Sequence, residues 1–259
     1  AWLLEISRNG EDLYPIIRKR AQEGPIYAPT LALRELHPEY ADRIPSVAEQ
    51  FTPDNHHDMV RFEIMKQFGY FVTESSEHSS EYYPWFIKRD HPELIDRFHI
   101  PLDEYPRRCR DQIARWKQQA EHLVHNENLT HTRSSEYAAG IIEALETGRT
   151  FGFAGNVLNT GLIDNLPFDA CVEVSCMVNE GHLSPCHMGP LPNQLAALNR
   201  RQIEVHQLTV DAALTRKKEY IYQAAMLDPH AGSELTIDEI RSLVDDLIQA
   251  HGDWLPEYH

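Results

Sequence analysis

The sequence predicts an α+β fold, dominated by helices and completed by a small mixed or antiparallel sheet. Three observations carry this. Stretches with apolar residues three and four apart recur over residues 102–124, 191–214 and 237–250, the period of a helix with one buried face. Strand-like runs are few and short, over residues 70–73, 151–157 and 170–176. A composition of 42% hydrophobic and 25% charged residues suits an ordinary globular core. The 259 residues allow one large domain or two small ones, and no internal repeat or low-complexity tract divides them.

The elements follow in order. Residues 2–6 read as a short strand, and Arg8-Asn9-Gly10-Glu11 as a turn. A helix over residues 13–21 is stopped by Gly24-Pro25. Pro25, Pro29, Pro38, Pro45 and Pro53 make residues 25–54 loop and short helix. Asp54 is placed to cap a helix over residues 56–68, with Met59, Phe62, Met65 and Phe68 on one face and Gly69 as its stop. Residues 70–73 form a buried strand. Residues 74–83, Glu-Ser-Ser-Glu-His-Ser-Ser-Glu-Tyr-Tyr, follow as either a site at the strand's end or a solvated loop.

The helix over residues 102–124 carries mixed charge on a solvated face. A polar linker spans residues 126–133. Ser134 or Ser135 then caps a helix over residues 136–146, and Gly148 ends it. A turn-rich loop, residues 159–167, separates the two later strands. Asp228-Pro229-His230 separates the helices over residues 218–227 and 237–250, and Thr236 caps the latter.

Net charge excludes some partners. A balance of −16 opposes binding to a nucleic-acid backbone or an anionic membrane surface. No apolar run reaches the ~20 residues of a membrane helix, and Ala1-Trp2-Leu3-Leu4-Glu5 lacks the basic start of a secretory signal. Cys109, Cys171, Cys176 and Cys186 form no Cys-x-x-Cys pair, so reduced thiols in a cytoplasmic protein are expected.

Common catalytic signatures are absent. No G-x-G-x-x-G or G-x-x-x-x-G-K-[ST] loop cradles phosphates, and G-x-S-x-G and H-E-x-x-H are missing. Cys176, His182, Cys186 and His187 are close enough in sequence to ligate zinc, but the spacing fits no standard module. Packed or exposed side chains in a loop are the other reading. Tyr82 presents a similar choice between a packed aromatic and a general base. As a base its pKa must fall from ~10 by ~3 units, worth ~4 kcal/mol, which a divalent metal supplies and lone surface charges do not. His78, Arg61 and Lys66 stand near it if the preceding helix and strand pack together.

The stretch from Gly69 through Glu74-Ser-Ser-Glu-His-Ser-Ser-Glu-Tyr82 to Pro84-Trp-Phe-Ile-Lys88 resembles the family 4 glycoside hydrolases, and within them the α-galactosidases. Further segments agree: Asn156-Val-Leu-Asn-Thr-Gly-Leu-Ile-Asp-Asn-Leu-Pro167, Cys171-Val-Glu-Val174, Leu195-Ala-Ala-Leu-Asn199 and Gln223-Ala-Ala-Met-Leu-Asp-Pro229 through Gly252-Asp-Trp-Leu-Pro256. The similarity spans nearly the whole chain. It implies the C-terminal domain of a lactate/malate dehydrogenase-like glycosidase that uses NAD and a divalent metal, usually manganese. Such enzymes are exceptions to the two-carboxylate rule of glycoside hydrolysis. By this resemblance NAD takes a hydride from C3 of the sugar, Tyr82 removes the C2 proton, and the aglycone leaves from C1. Tyr83 is the weaker candidate for the base, and Glu77, His78 and Arg61 are substrate-binding or neighbouring groups.

Departures from the family pattern shape the remaining expectations. The Gly-rich NAD loop is missing, so the N-terminal Rossmann domain is expected to be absent from this chain. Ala1-Trp2 matches the strand that follows the family's metal histidine, so the metal ligands and the principal NAD contacts are expected to lie outside it. Residues 179–187 also differ from the family pattern. Residues 1–259 therefore read as a C-terminal substrate-binding and oligomerisation domain, forming a homo-oligomer and acting on an α-galactoside such as melibiose. The alternatives are an α-glucuronidase or α-glucosidase of the same family, or a non-catalytic fragment that only binds or assembles.

Overall fold

The computed structural model describes residues 1–23, 58–126 and 136–259. Among these residues helices dominate and the strands form small sheets. The expected caps Asp54, Ser134 and Ser135, the residues 25–54 and most of the linker lie outside the described residues. The chain divides into two compact units. One comprises residues 1–100, 158–171 and 189–259, and the other residues 101–157 and 172–188.

In the first unit, β1 (Trp2–Leu3) pairs antiparallel with β4 (Phe71–Val72), with Trp2 opposite Val72 and Leu3 opposite Phe71. The strand is thus shorter than residues 2–6. Its continuation forms a hairpin of β2 (Ser7–Arg8) and β3 (Glu11–Asp12). Asn9 and Gly10 both have positive φ, 54° and 83°, the backbone that a two-residue hairpin turn requires. Asp12 Oδ1 then accepts from the Tyr14 backbone N–H at 2.9 Å and starts α1 (Tyr14–Glu23).

Helix α2 (Met59–Phe68) ends where expected, because Gly69 adopts φ 82° and returns its N–H to the Met65 carbonyl. Val60 and Ile64 on α2, Val72 on β4, and Phe86, Phe98 and Ile100 beyond form one apolar core cluster. Tyr14, Ala21 and Met65 form a second. The Tyr14 hydroxyl donates to the Leu3 carbonyl and accepts from the Phe71 N–H, so one buried side chain ties α1 to both strands.

The polar segment after β4 is a correction to the loop alternative, since residues Ser76–Tyr82 form helix α3. A short helix, α4 (Glu93–Arg97), follows. Asn159 fixes the turn-rich loop. It is fully buried, its amide nitrogen lies 2.9–3.2 Å from the carbonyls of Ile163, Leu166 and Pro167, and its oxygen accepts the N–H groups of Leu162 and Ile163.

The first unit closes with α7 (Asn193–Thr215), α8 (Lys218–Leu227), the short α9 (Ala231–Glu234) and α10 (Ile237–His251). Thr236 caps α10 as expected, within a reciprocal capping box with Glu239. The first turns of α7 also reach distant parts of the chain. Gln194 donates to the Phe68 carbonyl, Asn199 accepts from the Trp2 indole at 2.9 Å, Arg200 donates to the Asn165 carbonyl, and Gln202 donates to the Tyr82 carbonyl at 3.1 Å.

The second unit holds α5 (Glu104–His125), α6 (Ala138–Thr147) and a sheet of order β5-β6-β7. These strands are Phe151–Leu158, Cys171–Asn179 and His182–Pro185, of which only Leu158 and Cys171 fall in the first unit. Val172, Val174, Cys176 and Val178 are buried while the residues between them are exposed, the two-residue period of a half-buried strand. Strand β7 corrects the loop expected around His182. All four of its residues are exposed, so no apolar alternation announces it. Gly140 on α6 allows a close approach, since a Cβ there would lie 2.6 Å from the Phe151 ring.

Candidate functional site

The site candidate is α3 and the residues at its two ends. Ser75 stands in extended backbone and its Oγ accepts from the His78 N–H at 3.3 Å, which starts the helix. Ser76, Ser79 and Ser80 form its buried face. Their small side chains permit a close seat in the protein, and Ser80 Oγ donates to the Glu77 carbonyl at 2.6 Å. Glu77 and His78 are half-buried, and Glu81 and Tyr82 are exposed.

Glu74, His78 and Tyr82 are spaced four apart, so they share one side of this segment. Glu74 Oε1 lies 3.2 Å from His78 Nδ1, and the His78 and Tyr82 rings are 6.1 Å apart between centroids. The Ser75 backbone N–H, at 2.8 Å, holds the Glu74 carboxyl below its usual range, and His78 adds to this by hydrogen bond and charge. Desolvation raises the Tyr82 phenol, helped by the negative charges of Glu74 and Glu81. Tyr82 as it stands here is therefore a protonated phenol, and a base role requires a cation beside it.

Tyr83 is placed differently. Its ring stacks on Trp85 at 5.3 Å and 9°, against the apolar core, and burial pushes its phenol up to about 12. Tyr82 has 43% of its surface exposed.

Arg61 lies on α2. It donates to Asp58 Oδ1 at 2.8 Å and to the Val72 and Thr73 carbonyls at 3.1 and 3.2 Å, with its guanidinium over the Phe71 ring. The structure thus joins His78 to Tyr82 and engages Arg61 with β4. Sequence reasoning did not single out Glu74 or Gln202. Glu74 was legible from its four-residue spacing to His78. Gln202 had no local signal, because it holds the Tyr82 carbonyl from 120 residues away.

An open cleft of about 380 Å³ begins two residues beyond Tyr82, at Pro84. Arg201, Glu204, Asp228 and Ser233 line it beside Met226 and Leu227, a mixture of hydrogen-bonding groups and apolar floor suited to a small polar ligand. Among the described residues no group of three His, Cys, Asp or Glu could hold a metal ion, and the set around His182, Cys186 and His187 forms none.

The C-terminal domain of the family 4 glycosyl hydrolases matches residues 1–231. An α-galactosidase of Bacillus subtilis (strain 168) is 54% identical over 258 residues, covering 100% of this chain and 54% of that protein. An α-galactosidase of Rhizobium meliloti (strain 1021) is 32% identical over 212 residues, covering 78% of this chain and 43% of that protein. The chain spans about half the length of these curated relatives. A solved 6-phospho-α-glucosidase from gut microorganisms, in complex with NAD and Mn2+, shares the fold at a TM-score of 0.62 and 21% identity. That match covers 100% of this chain and 54% of the other. A family match over most of the chain and 54% identity across its length lead to one conclusion: the chain belongs to the family 4 glycosyl hydrolases, with its matched residues in their C-terminal domain.

Proposed function

We propose that this chain is the substrate-binding and assembly part of an α-galactosidase that acts on an α-galactoside such as melibiose. Identity of 54% to an α-galactosidase across the whole chain carries this reading. Tyr82 serves as the base that takes the C2 proton of the sugar. Its exposure beside His78, against the buried and stacked ring of Tyr83, supports that assignment. Glu77 and His78 lie on the same short helix and serve as substrate contacts, while Arg61 fixes the strand from which that helix departs.

NAD and a divalent cation belong to this reading, as found in the solved 6-phospho-α-glucosidase. The described residues do not fit either group by themselves. They hold no metal-ligating cluster, and the sequence has no Gly-rich phosphate loop. The chemistry assigned to this chain is therefore proton transfer and substrate contact.

Tyr82→Phe in the complete enzyme tests the assignment. Hydrolysis of nitrophenyl α-galactoside and exchange of the sugar C2 proton with solvent should both be lost, with the melting temperature unchanged. Exchange at the wild-type rate would rule out Tyr82 as the base. A panel of nitrophenyl glycosides tests the sugar, and preference for a glucoside or glucuronide would overturn the galactoside reading.

A further inference from the structure

Three contacts around Ser75 fix the ring of His78. The Ser75 backbone N–H donates to Glu74 Oε1 at 2.8 Å, and Ser75 Oγ accepts from the His78 backbone N–H at 3.3 Å. The same oxygen of Glu74 lies 3.2 Å from His78 Nδ1. One residue thus steadies the carboxylate on one side and the histidine backbone on the other. The Ser75 N–H, with His78 in support, holds the Glu74 carboxyl below its usual range, so it is ionised at neutral pH. An ionised carboxylate accepts hydrogen bonds and donates none. Nδ1 therefore carries the proton at this contact, and in the neutral ring Nε2 is left as an acceptor.

Among the described residues Nε2 has no hydrogen-bond partner, and the His78 side chain keeps 46% of its surface exposed. The ring stands 6.1 Å from that of Tyr82, centroid to centroid, on the same side of α3. An exposed acceptor beside Tyr82 suits a hydroxyl of a bound sugar, which donates to it. Glu74 does not assist Tyr82 directly, because its negative charge raises the phenol. Its contribution to the site runs through the histidine. An exposed ion pair at this spacing adds little to stability, so its removal leaves the fold in place.

We propose that Glu74 is a positioning residue, which holds His78 with its proton on Nδ1 so that Nε2 accepts a hydrogen bond from a hydroxyl of the sugar. This deepens the reading of His78 as a substrate contact and rests on it, but makes no use of Tyr82 as the base. Two readouts on the complete enzyme test it. Long-range proton–nitrogen NMR of the histidine rings, at a pH where they are neutral, reports the tautomer without turnover; the His78 signals are those lost in His78→Gln. The proton should be on Nδ1 in the wild type and in Glu74→Gln, which keeps an acceptor oxygen, and should move largely to Nε2 in Glu74→Ala. Kinetics follow on whichever nitrophenyl glycoside the panel favours. Glu74→Ala should raise KM about tenfold with kcat within about twofold, as for a contact made equally in the ground and transition states, and Glu74→Gln should hold the rise to about threefold. Unchanged melting temperatures show that both variants are folded. A proton on Nε2 in the wild type, which needs no Glu74 variant to detect, would overturn the positioning role and leave the assignment of the base untouched. A tautomer that follows Glu74 while KM stays unchanged in Glu74→Ala would overturn the sugar contact. So would a fall in kcat at unchanged KM.

Discussion

Ser79 is fully buried on α3, and among the described residues its hydroxyl has no hydrogen-bond partner. Leaving such a group unpaired costs about 1–3 kcal/mol, so Ser79→Ala should raise stability by up to about 1 kcal/mol in denaturant unfolding. Asn159 is the opposite case. Its side chain meets the backbone of Leu162, Ile163, Leu166 and Pro167, and Asn159→Ala should cost about 2–4 kcal/mol by the same measurement. Glu234 responds to acid. An ion pair with Lys88 and a hydrogen bond from the Arg89 N–H at 2.8 Å lower its carboxyl to about 2. A lowered folded-state pKa gives stability that is present in full above the ordinary value of 4.5 and is lost as pH falls from there toward about 2. Glu234→Gln should therefore flatten the acid limb of the stability profile in that window and leave its slope at neutral pH unchanged.

At the scale of elements, legibility followed chemistry that acts locally. Gly69 and Gly148 ended α2 and α6 in left-handed backbone, and Thr236 started α10, each a signal carried by one or two residues. Thr236→Ala should lower the melting temperature, at a cost of about 1 kcal/mol. Helix α3 was harder to read, because its buried face is serine rather than leucine and no apolar period marks it. Its cap, Ser75, was one of four serines in a row of polar residues, and composition alone does not say which one caps. Strand β7 was hidden for a different reason, since a strand exposed on both faces has nothing to alternate. The site was legible in part. Tyr82 was reached from the family resemblance, and its choice over Tyr83 has a physical counterpart in their unequal burial. Gln202 depends on tertiary proximity that no local pattern encodes.

For the whole molecule, the division of labour is testable by titration. The 259-residue chain alone should give no tight NAD or Mn2+ binding in calorimetry, because the sequence lacks a phosphate-cradling loop and the described residues lack a ligand cluster. Tight binding of either would place the cofactor contacts within this chain. The early turns of α7 carry a consequence for how such a chain can vary. Gln194, Asn199, Arg200 and Gln202 hold segments that lie up to 197 residues away in sequence. Inserting or deleting a single residue within that stretch would turn everything beyond it by about 100° and break their shared register. Length variation should therefore be tolerated in the exposed Glu180-Gly181 turn between β6 and β7, and rejected between residues 194 and 202.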